Sequence, residues 1–285
     1  MAIARHGTGP RAALAAAASQ VHPVFMLPPV ATALFGGVLA RSRSLSVGVA
    51  LVHALAVGAA VYTAHVKDGY VDFHVRGEDD DHPLTALGCR VCLAGATAVF
   101  GTCLAALWWV VGPGAVAVTL PTWLVGYHHA PQLDTNPVTA TTGYPLGIAI
   151  ALVGGAYVQI AAVPAVAVAF AAVFLLLLSG VKVVDDAQDY AYDRSIAKRT
   201  VAVAVGPRRA RLLAYGLMAA GMLGVVAFAA TRLFPPSSVL AVVAFVAVAA
   251  TTRRAGPELA TMLLIRGSYV FLAVLVAAVW FEPFG

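Results

Sequence analysis

Charge is what this sequence has least of. Charged residues make up 11% of its 285 positions and apolar residues 61%, where a soluble domain carries about 25% charge. Eighteen basic and 13 acidic side chains are too few to cover a soluble fold of this size, which excludes an ordinary soluble enzyme. The apolar excess also excludes a disordered chain. Cysteine is scarce as well. Cys89, Cys92 and Cys103 are the three present, and an odd number in one apolar stretch excludes a disulfide framework. Cys89 and Cys92 are spaced C-x-x-C, but no second pair accompanies them, so they read as two small residues on a helix. A strongly apolar leader is missing too. Arg5 and Arg11 precede a run that is mostly Ala, too weakly apolar for a secretory address. Residues 1–20 are therefore expected to form a cytosolic or interfacial segment.

Long apolar runs are what the sequence does have. About 20 apolar residues span a bilayer as a helix. Nine runs qualify or come close: 22–40, 45–66, 88–111, 114–128, 144–162, 164–184, 211–231, 236–251 and 259–281. Turn signals separate them, among them Arg41-Ser42-Arg43-Ser44, Gly112-Pro113-Gly114, Pro235-Pro236 and Gly256-Pro257. The expectation is an all-α polytopic membrane protein of about nine transmembrane helices, built as one integral-membrane domain over 1–285. With the N-terminus in the cytoplasm, 14 of the 18 basic residues fall on the inner side. Arg41, Arg43 and Arg232 fall on the outer side and Arg266 within the last span. The positive-inside rule then predicts a multi-pass protein of the plasma membrane, N-terminus in and C-terminus out.

The acids are sorted. Asp68, Asp72 and Glu78 through Asp81 follow the second run, and Asp185, Asp186, Asp189 and Asp193 follow the sixth. Together these are ten of the 13 acids. Asp68 and Asp72 are spaced i, i+4, and Asp185, Asp189 and Asp193 step i, i+4, i+8. Like charges at that spacing destabilise a bare helix. Carboxylates are ligands for hard divalent cations, and Mg²⁺ typically binds through one or two of them plus substrate phosphates. Two such clusters, if they face each other, suit a diphosphate bridged by Mg²⁺. The run Glu78-Asp79-Asp80-Asp81 reads as a solvated face.

The stretch Val184-Asp185-Asp186-Ala187-Gln188-Asp189-Tyr190-Ala191-Tyr192-Asp193-Arg194, followed by Ala197-Lys198-Arg199-Thr200-Val201 and Gly206, resembles the second aspartate-rich motif of the UbiA superfamily of intramembrane prenyltransferases. That motif reads D-x-x-D-x-x-x-D, then a basic residue, Thr, and a Gly before the next helix. Asp186, Asp189 and Asp193 take its three Asp places, with Asp185 an extra acid. The first family motif is N-D-x-x-D-x-x-x-D after the second helix. With Asp72 at its central Asp, Asp68 falls on the Asn, Gly69 on the first Asp and Arg76 on the last, for which Asp79 is the alternative. Nine helices with motifs after the second and the sixth is the family arrangement.

The resemblance implies helices around a central cavity and Mg²⁺-dependent transfer of a prenyl group. The donor is a polyprenyl diphosphate, and the acceptor is lipophilic, a quinone precursor or a lipid. It implies Asp68, Asp72, Asp186, Asp189 and Asp193 as metal ligands. Asp72, Asp189, Lys198 and Arg199 become the catalytic group, the two cations neutralising diphosphate. Many members carry a Tyr followed by a basic residue in the loop after the fourth span. Here Tyr127 is followed by His128 and His129, which implies Tyr127 and His128, beside Lys198, Arg199 and Asp68, as substrate-binding residues. Membrane lipid is the surrounding partner, with no nucleic acid and no obligate protein partner implied. The competing readings are a divalent-cation transporter or channel using the Asp clusters as its ion site, and a member that has lost catalysis.

Overall fold

The structure is a computed structural model that describes residues 2–40, 45–196, 198–252 and 254–283. The turn residues Arg41 to Ser44, together with Ala197 and Arg253, lie outside the described residues. The elements are helices: α1 (Gly9–Ala18), α2 (Pro23–Leu39), α3 (Val47–Gly69), α4 (Ala86–Val110), α5 (Pro113–Tyr127), α6 (Pro137–Ile160), α7 (Ala165–Gln188), α8 (Tyr190–Ser195), α9 (Val201–Val205), α10 (Pro207–Ala230), α11 (Val239–Thr252) and α12 (Pro257–Phe281). Wide π-type turns follow α3 (Tyr70–Arg76) and α5 (His129–Leu133), and a 3-10 turn, Pro236–Ser238, leads into α11.

Each of the nine expected runs lies on one of these helices. Among the described residues, six helices are long and apolar enough to cross a membrane, or seven if α1 and α2, bent by 66°, make one broken span. The number falls short of nine because α5 and α11 have only 15 and 14 residues. The chain is an all-α, multi-pass membrane protein. Proline sets several of the starts. α2, α5 and α10 open on Pro23, Pro113 and Pro207, whose fixed φ and missing N–H suit the first helical position. Thr85 caps α4 by accepting from Gly88 N at 2.9 Å.

The chain divides into two compact units. The first is Met1–Thr135 with Leu146–Ala167, and the second is Asn136–Pro145 with Val168–Gly285. In the first, α2 and α6 approach through glycine. A Cβ on Gly36 would strike the Leu152 carbonyl, and one on Gly155 would strike the Ala33 carbonyl. The small-residue stripe Gly147, Ala151, Gly155 thus works in helix packing, chiefly at Gly155. Buried His53 joins three helices, its Nδ1 3.1 Å from Thr119 Oγ1 and its Nε2 3.0 Å from the Ala151 carbonyl. The N-terminal residues pair with the segment before α4, Thr85 N donating to Ile3 O and Arg5 N to Pro83 O, each at 2.9 Å. In the second unit, α7 packs on α10 where Gly180 meets the Ala214 carbonyl. The rings of Phe170 and Phe234 stand 4.2 Å apart, and Ser237 Oγ donates to Ala278 O at 2.9 Å.

Candidate functional site

The first acidic cluster forms where α3 outlasts its apolar part. Beyond Gly69 the helix widens into the π turn Tyr70–Arg76 and stops at Gly77 in the left-handed region, φ 66°. Such widened turns are frequent at functional sites. Asp68 sits in the last turn of α3 and Asp72 in the π turn, both half-buried. Arg76 lies among carboxylates. It donates from Nη1 to Asp72 Oδ1 at 3.3 Å, and from Nη1 and Nη2 to Asp134 Oδ2 and Oδ1 at 2.6 and 3.1 Å; Glu78 Oε1 is 3.9 Å from its Nε. Asp134, at the end of the π turn after α5, is 6% exposed. A fixed guanidinium therefore already neutralises part of this cluster.

Tyr127, the last residue of α5, joins the same place from the side. Lys67 Nζ lies over its ring, 4.4 Å from the centroid, a cation–π contact. The ring stacks on Trp123 at 4.9 Å and 17°, which fixes its plane. His128 is exposed, edge-on to Tyr127 at 5.4 Å. The cation at this ring thus comes from α3 rather than from the loop that follows Tyr127.

The second cluster lies at the end of α7. Lys182 Nζ is 2.5 Å from Asp186 Oδ1 and 3.2 Å from Asp185 Oδ2. Asp186 is 3% exposed, and its other oxygen, Oδ2, is buried with no hydrogen-bond partner among the described residues. Such an oxygen is costly unless something charged or protic meets it. The helical step persists through Asp189 N to Asp185 O at 3.4 Å and Asp193 N to Asp189 O at 2.8 Å. Asp189 itself opens to φ −84°, ψ 9° between α7 and α8, in the sparsely allowed bridge region where active-site residues collect. The expected i, i+4, i+8 ladder is therefore kinked at its centre, as crowded like charges favour. Asp189 is exposed and Asp193 is 4% exposed. Lys198, half-buried, donates its backbone N–H to Asp193 O at 2.9 Å, and Arg199 is exposed. Thr200 is buried and caps α9, its Oγ1 accepting from Val203 N at 3.4 Å. Gly206 closes the connection at φ 83°, ψ 151°, a conformation open essentially to glycine alone.

Two ligand-type groups emerge. In the first unit Asp68 and Asp72 lie near each other, and Tyr127 stands against Lys67, the residue before Asp68, with His128 at its ring edge. The second brings together Asp186, Asp189, Asp193 and the backbone of Lys198. Sequence reasoning missed three cations in these places. Lys182 was findable, since it stands i−4 from Asp186. Lys67 over Tyr127 and Arg76 on Asp134 were not, being 60 and 58 residues apart.

All-oxygen donors of this kind suit a hard cation. The orphaned Asp186 Oδ2 is the observation in this molecule that fits one.

The fold matches solved membrane proteins over nearly its whole length. A UbiA homolog from Aeropyrum pernix K1, in its apo form, aligns with a TM-score of 0.70 at 15% identity, covering 90% of this chain and 98% of that one. The chain has the UbiA fold. A digeranylgeranylglyceryl phosphate synthase aligns at TM-score 0.73 and 11% identity, over 93% of this chain and 96% of its own. A UbiA homolog from Archaeoglobus fulgidus bound to GPP and Mg²⁺ aligns at 0.68 and 17%, over 94% and 99%. No family model and no curated relative matches the sequence. The acidic clusters of this UbiA-fold chain lie after the second and sixth of its nine apolar runs, at the end of α3 and the end of α7.

Proposed function

We propose that this protein is a Mg²⁺-dependent intramembrane prenyltransferase, moving the prenyl group of a polyprenyl diphosphate to a lipophilic acceptor. The observation that carries the reading is the buried Asp186 carboxylate, one oxygen held by Lys182 and the other with no partner among the described residues. The fold and the Mg²⁺ and GPP bound by the Archaeoglobus fulgidus homolog support it. In this reading Asp186, Asp189 and Asp193, with Asp68 and Asp72, would hold Mg²⁺, which would supply positive charge for a diphosphate leaving group that departs with the electron pair of the allylic C–O bond.

This chain's own residues do the rest. Lys198 and Arg199 add positive charge for the departing diphosphate. Lys67, held over Tyr127, supplies the cation that the loop after Tyr127 lacks, and Tyr127 and His128 border the substrate. Lys182 holds one oxygen of Asp186 and so orients it. Arg76 takes the place of one metal-held charge in the first cluster, so that cluster recruits fewer ions than its acid count suggests. The acceptor's nucleophilic atom bonds to the allylic carbon and loses its proton. The chain works as one integral-membrane domain in the plasma membrane, N-terminus and site on the cytoplasmic side.

The test is incubation of the purified protein in lipid with radiolabelled geranylgeranyl diphosphate, Mg²⁺ and candidate acceptors. Diphosphate release that falls about 10²–10³-fold in Asp186→Asn is the expected result. No release from the native protein with any acceptor, alongside Mg²⁺ flux into vesicles, would replace the reading with an ion pathway.

A further inference from the structure

One cluster of donors belongs to neither acidic group. His74 lies in the π turn beyond Asp72, His82 in the connection to α4, and Cys89 in the first turn of α4. One donor atom from each lies within 4.8 Å of the other two. Cys89 Sγ is 4.0 Å from His82 Nδ1. That nitrogen and His74 Nε2 each stand 3.1 Å from the carbonyl oxygen of Leu84. Cys89 is fully buried and His82 is 5% exposed.

The hydrogen bonding of His82 is incomplete in either neutral form. Its Nδ1 stands 3.2 Å from the N–H of Leu84, which needs an acceptor, and 3.1 Å from the Leu84 carbonyl, which needs a donor. One nitrogen cannot be both. Its Nε2 is buried with no partner among the described residues and is wedged 2.5 Å from where a Gly69 Cβ would stand. The ring is fixed between Gly69 and Phe73, on which it stacks at 5.9 Å. Nδ1 is therefore held toward the thiol and the second imidazole.

We propose that His74, His82 and Cys89 form a metal site for a borderline-soft transition-metal cation, Zn²⁺ foremost, distinct from the Mg²⁺-type acidic clusters. Two imidazoles and a thiolate select such ions over Mg²⁺, which takes oxygen. Donors around a tetrahedral Zn²⁺, bonded at ~2.0–2.3 Å, stand roughly 3.3–3.8 Å apart, so small side-chain rotations close the group. The Leu84 carbonyl is at hand for the fourth position. Binding displaces the thiol proton of Cys89 to solvent and leaves both imidazoles neutral. The bound ion ties the π turn that carries Asp72 and Arg76 to the start of α4. It thereby stiffens the 74–89 connection, onto which residues 3–5 also pair.

The experiment is a Co²⁺ titration of the full-length protein, purified metal-free in detergent. The expected result is one equivalent bound with a thiolate-to-cobalt charge-transfer band and intense tetrahedral visible bands, displaced by Zn²⁺ and insensitive to excess Mg²⁺. Cys89→Ser and His74→Gln should weaken binding by more than the about 10–100-fold that an outer-shell partner is worth, while Cys103→Ser keeps the band. If Cys89→Ser does not fold, X-ray absorption of Zn²⁺ bound to the native chain reads the same contact, with one sulfur expected at about 2.3 Å. Absence of a thiolate band, a band that survives Cys89→Ser in a folded protein, or a bound Zn²⁺ without sulfur in its shell would each overturn the proposal. None of these readouts depends on prenyl transfer, so the site stands or falls apart from the proposed activity.

Discussion

Arg76 grips Asp134 with both arms of its guanidinium, Nη1 on Oδ2 at 2.6 Å and Nη2 on Oδ1 at 3.1 Å, while Nη1 also reaches Asp72 Oδ1 at 3.3 Å. The pair ties the end of α3 to the turn after α5. Removing Arg76 strands a buried carboxylate. Arg76→Ala should cost about 2 kcal/mol or more, somewhat under the about 3–5 kcal/mol of a fully buried pair, because Arg76 keeps some exposure. A double-mutant cycle with Asp134→Asn, read by thermal unfolding in detergent, checks it. Independent effects would mean that the fork contributes nothing.

The cations and acids of α7 make a second prediction. Asp186→Asn and Asp189→Ala should each lower the maximal rate of diphosphate release by about 10²–10³-fold. Asp79→Ala and Asp80→Ala, at exposed positions, should stay within a few-fold of the native rate. Equal losses in all four would show a general dependence on surface charge.

Metal removal gives a third. Chelation should abolish release and added Mg²⁺ should restore it. In Asp193→Asn the Mg²⁺ needed for half-maximal rate should rise by about 10-fold or more, while the protein's unfolding midpoint without metal stays close to native. An unchanged Mg²⁺ dependence would remove Asp193 from the ligand set.

The contact of Lys67 with Tyr127 predicts a graded series. Tyr127→Phe keeps the ring face and should be nearly silent. Tyr127→Leu loses the cation–π contact, worth about 0.5–2 kcal/mol, and should raise KM for the diphosphate more than it lowers kcat. Steady-state kinetics on both variants separates the two parameters.

At the N-terminal clasp, Asp81 accepts from His6 Nε2 at 2.9 Å and lies 3.5 Å from Arg5. The His6 hydrogen bond, above all, holds the Asp81 carboxyl below its ordinary value. A carboxyl lowered in the folded state contributes while ionised and is lost as pH falls through that lowered value. Limited proteolysis near residue 6 should therefore stay slow through the ordinary carboxylate range, near pH ~3.9, and rise only below it. Asp81→Asn should be fast throughout.

The sequence by itself determined the class and the two helix ends at which the acids gather. Apolar runs too long and too poorly charged for a soluble core must satisfy their backbone within helices, and acids that a lipid environment excludes stand out when they gather at two helix ends. The closeness of Asp186, Asp189 and Asp193 was readable because neighbours in one helical stretch are set by local spacing. What spacing could not show was contact over long separations. The choice of Asp134 as the partner of Arg76, of Tyr127 as the seat for Lys67, and of His74 and His82 as neighbours of Cys89 was made by the tertiary structure. Helices of similar composition pack in many registers, and only close approaches such as Gly155 on the Ala33 carbonyl select the one that brings these side chains together.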